Sequence, residues 1–212
     1  MHQRALVLAD DNYATIVAAV EEGRAVFDNI RKFLRYLLSS NMGEVMTVFF
    51  GVVFAGPLGL SGEHGFVLPL LATQILWINL VTDGAPALAL GAAPASPGLM
   101  RRKPRPRGEG VIDSRMGVEI AVIGAVMACG TLAVLDAALP GGWIPGAGSL
   151  AYARTMAFTT LVLFQIVHAF NCRSESRSAL AGLLENSWLW GATALSLVLQ
   201  LAVIYLPWLQ LA

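Results

Sequence analysis

The sequence predicts an all-α polytopic transmembrane helix bundle of about five spans, its first helix extended into a cytosolic stalk, and three observations predict it. Apolar residues make up 56% of the 212 positions and charged residues 13%, about half the charged share of a soluble chain. The apolar residues gather in runs of membrane length, roughly 37–55, 67–91, 116–138, 153–171 and 188–206, each near the ~20 residues that a helix needs to cross hydrocarbon. The basic residues alternate between loops. Arg24, Arg31, Lys32 and Arg35 precede the first run, Arg101, Arg102, Lys103, Arg105 and Arg107 follow the second, and Arg173 and Arg177 follow the fourth. The loops GPLGLSGEHGF and LPGGWIPGAGSLAY hold neither Lys nor Arg. By the positive-inside rule this alternation puts the N-terminus in the cytoplasm and, after an odd number of spans, the C-terminus outside. Net charge is zero, so the expected partner is membrane lipid and not nucleic acid. The first 25 residues lack the apolar core and cleavage pattern of a signal peptide.

The first helix is too long for a bilayer. From Ala14 to Ala55 no Pro and only three glycines interrupt a helical pattern; about 42 residues at ~1.5 Å each give roughly 63 Å, against ~30 Å of hydrocarbon. Residues 1–36 are therefore expected to form a cytosolic stalk continuous with a membrane domain of residues 37–212, with Asp10 or Asp11 capping its start. A rigid rod of this kind suits mechanical coupling between the cytosol and a membrane site. In its membrane half, Ser39-Ser40-Asn41-Met42-Gly43-Glu44 forms a polar cluster, with Asn41 and Glu44 about 60° apart on one face.

The second run, VLPLLATQILWINLVTDGAPALALG, contains one charged residue, Asp83. An ionised carboxylate in lipid is costly and normally faces the bundle interior, on an ion or proton path. Asn79, Thr82 and Asp83 fall within an arc of roughly 100°. Pro86 removes a backbone donor and crowds the preceding turn, so the helix is expected to loosen around Asp83 and free carbonyl oxygens. Two readings fit both clusters: a cation site, and a structural network of hydrogen bonds between helices. Glu44 and Asp83 favour the first, because each needs a proton or a shared cation.

In the third run Gly117, Ala121, Gly124 and Ala128 make a small-residue stripe, and Gly43 offers a matching flat surface, so the first and third spans are expected to touch there. Glu119 and Asp136 sit near the ends of this run, within reach of water. The fourth run carries Gln165 and His168; Gln165 can offer a carbonyl but no charge, and a lone His on an apolar helix reads as packing. Cys129 and Cys172 lie at different depths, so no disulfide is expected. Trp143, Trp188 and Tyr205 fit interfacial belts, and the basic run at 101–107 reads as a solvated loop.

Asn41, Glu44, Asn79, Thr82 and Asp83 form an all-oxygen donor set, which suits Ca²⁺ or another hard cation and not zinc or copper. LADDNYATIVAAVEEGRAVFDNIRKFLRYLLSSNMGEV, followed by LWINLVTDGAPALALG, resembles the fifth and sixth membrane helices of P-type cation ATPases, in the calcium-pump branch of the sarco/endoplasmic reticulum enzymes and their bacterial relatives. The resemblance runs from about Leu8 to the end, weakening after Gly91. It implies that Asn41, Glu44, Asn79, Thr82 and Asp83 donate oxygens to transported Ca²⁺, with Asp83 shared between two sites. It implies a bacterial plasma membrane as the location. Gln165 stands where reticulum-type pumps place a Glu, which lowers the expected count to one Ca²⁺ per cycle. No DKTG-type, TGE-type or TGDGxNDAP-type motif occurs. The chain is thus expected to be the ion-binding part of a pump, to lack ATPase activity alone, and to use ATP and Mg²⁺ only through the missing cytosolic domains in the N-terminal part of the pump. The alternatives are a stand-alone cation channel or exchanger, and a membrane fragment that transports nothing.

Overall fold

The computed structural model describes residues 13–209 except 59, 63–64, 67, 96–97, 102–109, 142, 145, 174–185 and 208. Helix α1, Tyr13–Val53, is unbroken over 41 residues, about 61 Å at the usual rise. The expected caps Asp10 and Asp11, most of the basic run at 101–107, and Arg177 lie outside the described residues. A two-residue antiparallel pairing, Ser61–Gly62 with Gly65–Phe66, closes the turn that follows α1.

The second run is not a single helix. It comprises α2, Ala72–Trp77, a π-helical turn, Ile78–Thr82, and α3, Gly84–Gly91. Helix α4 spans Ser114–Ala138, α5 Leu150–Cys172 and α6 Ser187–Tyr205. Among the described residues, α1, α4, α5 and α6 are the four helices long and apolar enough to cross a membrane unbroken. The fifth expected span is the interrupted segment. The protein is an integral membrane protein built as a helical bundle.

Side-chain caps set the starts of three helices. Asp113, Ser149 and Asn186 accept from the backbone N–H groups of Met116, Tyr152 and Leu189 at 2.7, 3.2 and 3.1 Å, each satisfying a donor that the first turn leaves free. Asp136 departs from the water-exposed position expected of it. It is buried and accepts from the N–H groups of Trp143 and Ile144, both at 2.9 Å, so it folds the following loop back onto the end of α4.

Helix α1 packs chiefly against α4, and α4 against α5, while α3 lies between α1 and α6. The α1–α4 contact is reciprocal. A Cβ on Gly124 would lie 2.6 Å from Met42 Cγ, and one on Gly43 would lie 3.1 Å from Met127. Each methionine fills the notch left by the other helix's glycine, which is how helices approach closely where the solvent supplies no hydrophobic drive. The small-residue stripe ends before Gly117, which has open space around its Cα.

Around the first half of α1 the contacts are ionic. Lys32 pairs with Asp28 at 3.0 Å, Arg31 with Asp113 at 3.0 Å and Arg35 with Glu119 at 3.7 Å. Arg24 and Asn29 donate to the carbonyls of Leu99 and Ala93 at 3.1 and 2.6 Å. The α3–α4 connection is therefore tied to the first half of α1.

This junction is expected to respond to acid. The Met116 N–H and then the Arg31 guanidinium hold the half-exposed Asp113 carboxyl below its ordinary 3.8. A depressed carboxylate contributes its stabilisation in full above its unfolded value and loses it as pH falls through the folded value. The wild-type melting temperature should thus exceed that of Asp113→Ala at pH 7, with the gap closing as pH falls below about 4. A gap constant down to pH 3 would show that the carboxylate charge does not hold the junction.

Candidate functional site

Two apolar clusters bracket a polar layer. One contains Ile78, Leu135, Phe158, Leu161 and Val162; the other contains Tyr36, Leu90, Ala169, Cys172 and Leu189. On α1 the span from Tyr36 to Val48, on the broken segment that from Ile78 to Leu90, and on α5 that from Val162 to Ala169 run from one cluster to the other. Glu44, Asp83 and Gln165 lie in those spans, and all three are buried.

Antiparallel packing brings the elements into register. Asn29 meets Ala93, Tyr36 meets Asp83 and Glu44 meets Asn79, so the broken segment descends alongside α1. The centre is the Glu44 carboxylate. Asn79 Nδ2 donates to its Oε2 at 2.6 Å and Gln165 Nε2 donates to its Oε1 at 3.0 Å. Residues far apart in sequence, on α1, the π turn and α5, thus converge on one carboxylate. Asp83 stands at the end of the π turn, where the Tyr36 hydroxyl donates to its Oδ1 at 2.8 Å.

Other expected site residues are turned differently. Asn41 donates to the Leu37 carbonyl at 2.9 Å and the Thr82 hydroxyl to that of Ile78 at 3.0 Å, each within its own segment. The regular α-helical arc expected for Asn79, Thr82 and Asp83 is replaced by π geometry, in which the Asp83 N–H reaches back five residues to Ile78 at 2.9 Å. Asn79 meets Glu44 and Asp83 meets Tyr36, so the polar residues share a layer without sharing one hydrogen-bonded cluster. His168 packs, its ring stacked on Tyr36 at 6.3 Å and its Nε2 3.1 Å from Cys172 Sγ.

Several oxygen atoms of the layer make no hydrogen bond among the described residues. Among the described residues, Asp83 Oδ2, Gln165 Oε1 and the hydroxyls of Ser39 and Ser40 are buried without a hydrogen-bond partner. An unmatched buried polar atom costs free energy, and a carboxylate oxygen costs most. Among the described residues no group of three or more His, Cys, Asp or Glu side chains is gathered. The chemistry on offer is two carboxylates with amide and hydroxyl oxygens, a hard-cation donor set.

Sequence reasoning passed over Tyr36, Ser196 and Gln200. Tyr36, Ser40 and Glu44 follow one another at i, i+4 along α1, a row legible in the sequence. Ser196 donates to the Thr82 carbonyl at 2.7 Å. Gln200, one turn on, is buried, and among the described residues both its amide atoms lack a hydrogen-bond partner. With Thr193 these residues form a polar stripe on an otherwise apolar helix.

Comparison with known proteins adds to this geometry. A family model described as "Cation transporting ATPase, C-terminus" matches residues 67–212, which include Asn79, Thr82, Asp83 and Gln165. The chain is 43% identical over 205 residues to a calcium-transporting ATPase of Bacillus subtilis, an alignment that covers 97% of this chain and 22% of that protein. It is 34% identical over 206 residues to calcium-transporting ATPase 1 of Yarrowia lipolytica, covering 97% and 21%. To calcium-transporting ATPase 1 of Bacillus cereus it is 33% identical over 216 residues, covering 95% and 23%. The chain spans about a fifth of the length of these relatives.

Proposed function

Because the chain belongs to the cation-transporting ATPase family, in which it corresponds to the C-terminal membrane region, we propose that it forms the ion-binding membrane segment of an ATP-driven Ca²⁺ pump. The observation that carries this reading is the convergence of Asn79 and Gln165 on the buried Glu44 carboxylate, with the unpartnered Asp83 Oδ2 in the same layer. Glu44 and Asp83 supply negative charge, and Asn41, Asn79, Thr82 and Gln165 supply neutral oxygens. The amide N–H groups of Asn79 and Gln165 donate to Glu44. Rotation of either amide presents its carbonyl instead.

The unbroken α1 supports a mechanical role. One rigid helix carries Glu44 at one end and the Arg24 and Asn29 contacts at the other, so a tilt imposed on the stalk is delivered to the site. ATP and Mg²⁺ act in the pump's remaining part, which is this chain's partner. The clustering of basic residues at the stalk end supports a cytoplasmic N-terminus and an outer C-terminus, and the 43% identity to the Bacillus subtilis protein supports a bacterial plasma membrane; Arg154, which donates to the Leu68 carbonyl at 3.0 Å, lies toward the other face.

The test is reconstitution. Vesicles holding the whole pump should take up ⁴⁵Ca²⁺ on addition of ATP. Vesicles holding this chain alone should pass no ⁴⁵Ca²⁺ and form no acyl-phosphate with labelled ATP. Flux through the chain alone without ATP would instead make it a channel or exchanger, and no uptake by the whole pump would end the Ca²⁺ reading.

A further inference from the structure

In a regular helix the Thr82 carbonyl would accept from the N–H of residue 86. That residue is Pro86, which has none. The next N–H, that of Ala87, goes to the Asp83 carbonyl at 3.0 Å, so the Thr82 carbonyl loses its α-helical partner at the point where the segment changes pitch. A bare carbonyl in a membrane interior must find a donor elsewhere. It finds one on another helix: the fully buried Ser196 hydroxyl of α6, at 2.7 Å.

We propose that Ser196 is a positioning residue for the ion site, holding the Thr82 carbonyl toward α6 and so fixing the break that aims Asp83 and Asn79. The atoms on either side of the clamp are the ones that matter. The peptide whose oxygen Ser196 binds is the Thr82–Asp83 peptide, and its N–H is the Asp83 N–H held by Ile78 in the π turn. Both ends of one peptide plane are therefore pinned, and the Asp83 side chain projects from it. Helix α6 contributes no expected ligand, yet it decides the orientation of the broken segment. The same contact changes the consequence expected of Pro86: this freed carbonyl is taken by Ser196 and is not left open for an ion.

The proposal rests on the cation-site reading for its functional part and not for its structural part, and the two are tested separately. Thr82–Asp83 is the only Thr-Asp pair in the sequence, so labelling with carbonyl-¹³C Thr and ¹⁵N Asp isolates the Thr82 carbonyl in solid-state NMR of this 212-residue chain in lipid. Ser196→Ala should move that resonance and Ser196→Thr, which keeps the hydroxyl, should largely restore it; an unmoved resonance overturns the clamp whatever the site binds.

In the intact pump, Ser196→Ala should weaken the apparent Ca²⁺ affinity for phosphorylation about fivefold, the size of one net hydrogen bond, with the maximal level unchanged. Pro86→Ala supplies the missing N–H, so in that background Ser196→Ala should cost less than about twofold, because the carbonyl then has its own partner. An equal loss in both backgrounds would make Ser196 an ordinary packing residue and overturn the positioning role. A shifted resonance with unchanged Ca²⁺ affinity would overturn it too.

Discussion

Asp83→Asn is expected to abolish Ca²⁺-dependent phosphorylation of the intact pump by ATP. Asp83 is 1% exposed, its Oδ1 bonded by Tyr36 and its Oδ2 without a partner. Asn retains the shape and one carbonyl oxygen but removes the charge. Taking one partner from a buried charge pair costs about 3–5 kcal/mol, so the affinity for a divalent cation should fall by a factor of about a hundred or more. Glu44→Gln should do the same. Its carboxylate receives two amide donors, and a Gln there would set its own N–H₂ against one of them. Asn41, Asn79 and Thr82 variants should lose less, because each supplies a neutral oxygen. The measurement is phosphorylation by labelled ATP across a range of free Ca²⁺; wild-type calcium dependence in both carboxylate variants would remove these residues from the site.

Gly124→Val should give the largest loss of stability. A Cβ at this position would lie 2.6 and 2.9 Å from Met42 Cγ and Cβ and 3.1 Å from the Met42 backbone carbon. The side chain can swing aside but the backbone cannot, so α1 and α4 must separate along their main contact. Overpacking of this kind costs about 1–3 kcal/mol, seen as a lower melting temperature of the purified chain in detergent. Gly117→Val, on the same helix with nothing within 4 Å, should be near neutral. Met42→Ala should recover part of the loss at Gly124, since it clears the nearest atom, Met42 Cγ, while its Cβ at 2.9 Å stays. Equal effects at Gly117 and Gly124 would mean that α1 and α4 do not meet in this way.

Local signals made much of the site legible. Asp83 and Glu44 stand out as carboxylates in apolar runs, and Pro86 marks the interruption that the π turn realises. Gln165 could be paired with the site only through the family resemblance, and its bond to Glu44 joins residues 121 apart. For Asn41 and Thr82 the spacing does not show what each side chain bonds to. Their positions suit the site, but each side chain satisfies its donor on its own helix, a competition that the residue type allows and the spacing does not reveal. Tyr36 heads a row with Ser40 and Glu44 that the spacing shows, but that its buried hydroxyl sits on Asp83 follows only from the packing of another segment against α1.

The sequence by itself determined that the chain is a helical membrane bundle, where its apolar runs fall and which carboxylates lie inside them, because hydropathy, helical period and proline act within a few residues of where they are written. Which polar groups meet was decided by the tertiary structure. The depth of a residue follows from its own helix, but its partner depends on the rotation and register of the neighbouring one. Those are set by contacts such as Met42 in the notch of Gly124 and Ser196 on the Thr82 carbonyl. The second of these spans 114 residues, and no periodicity along one helix encodes a bond to a carbonyl that a proline on another has left open.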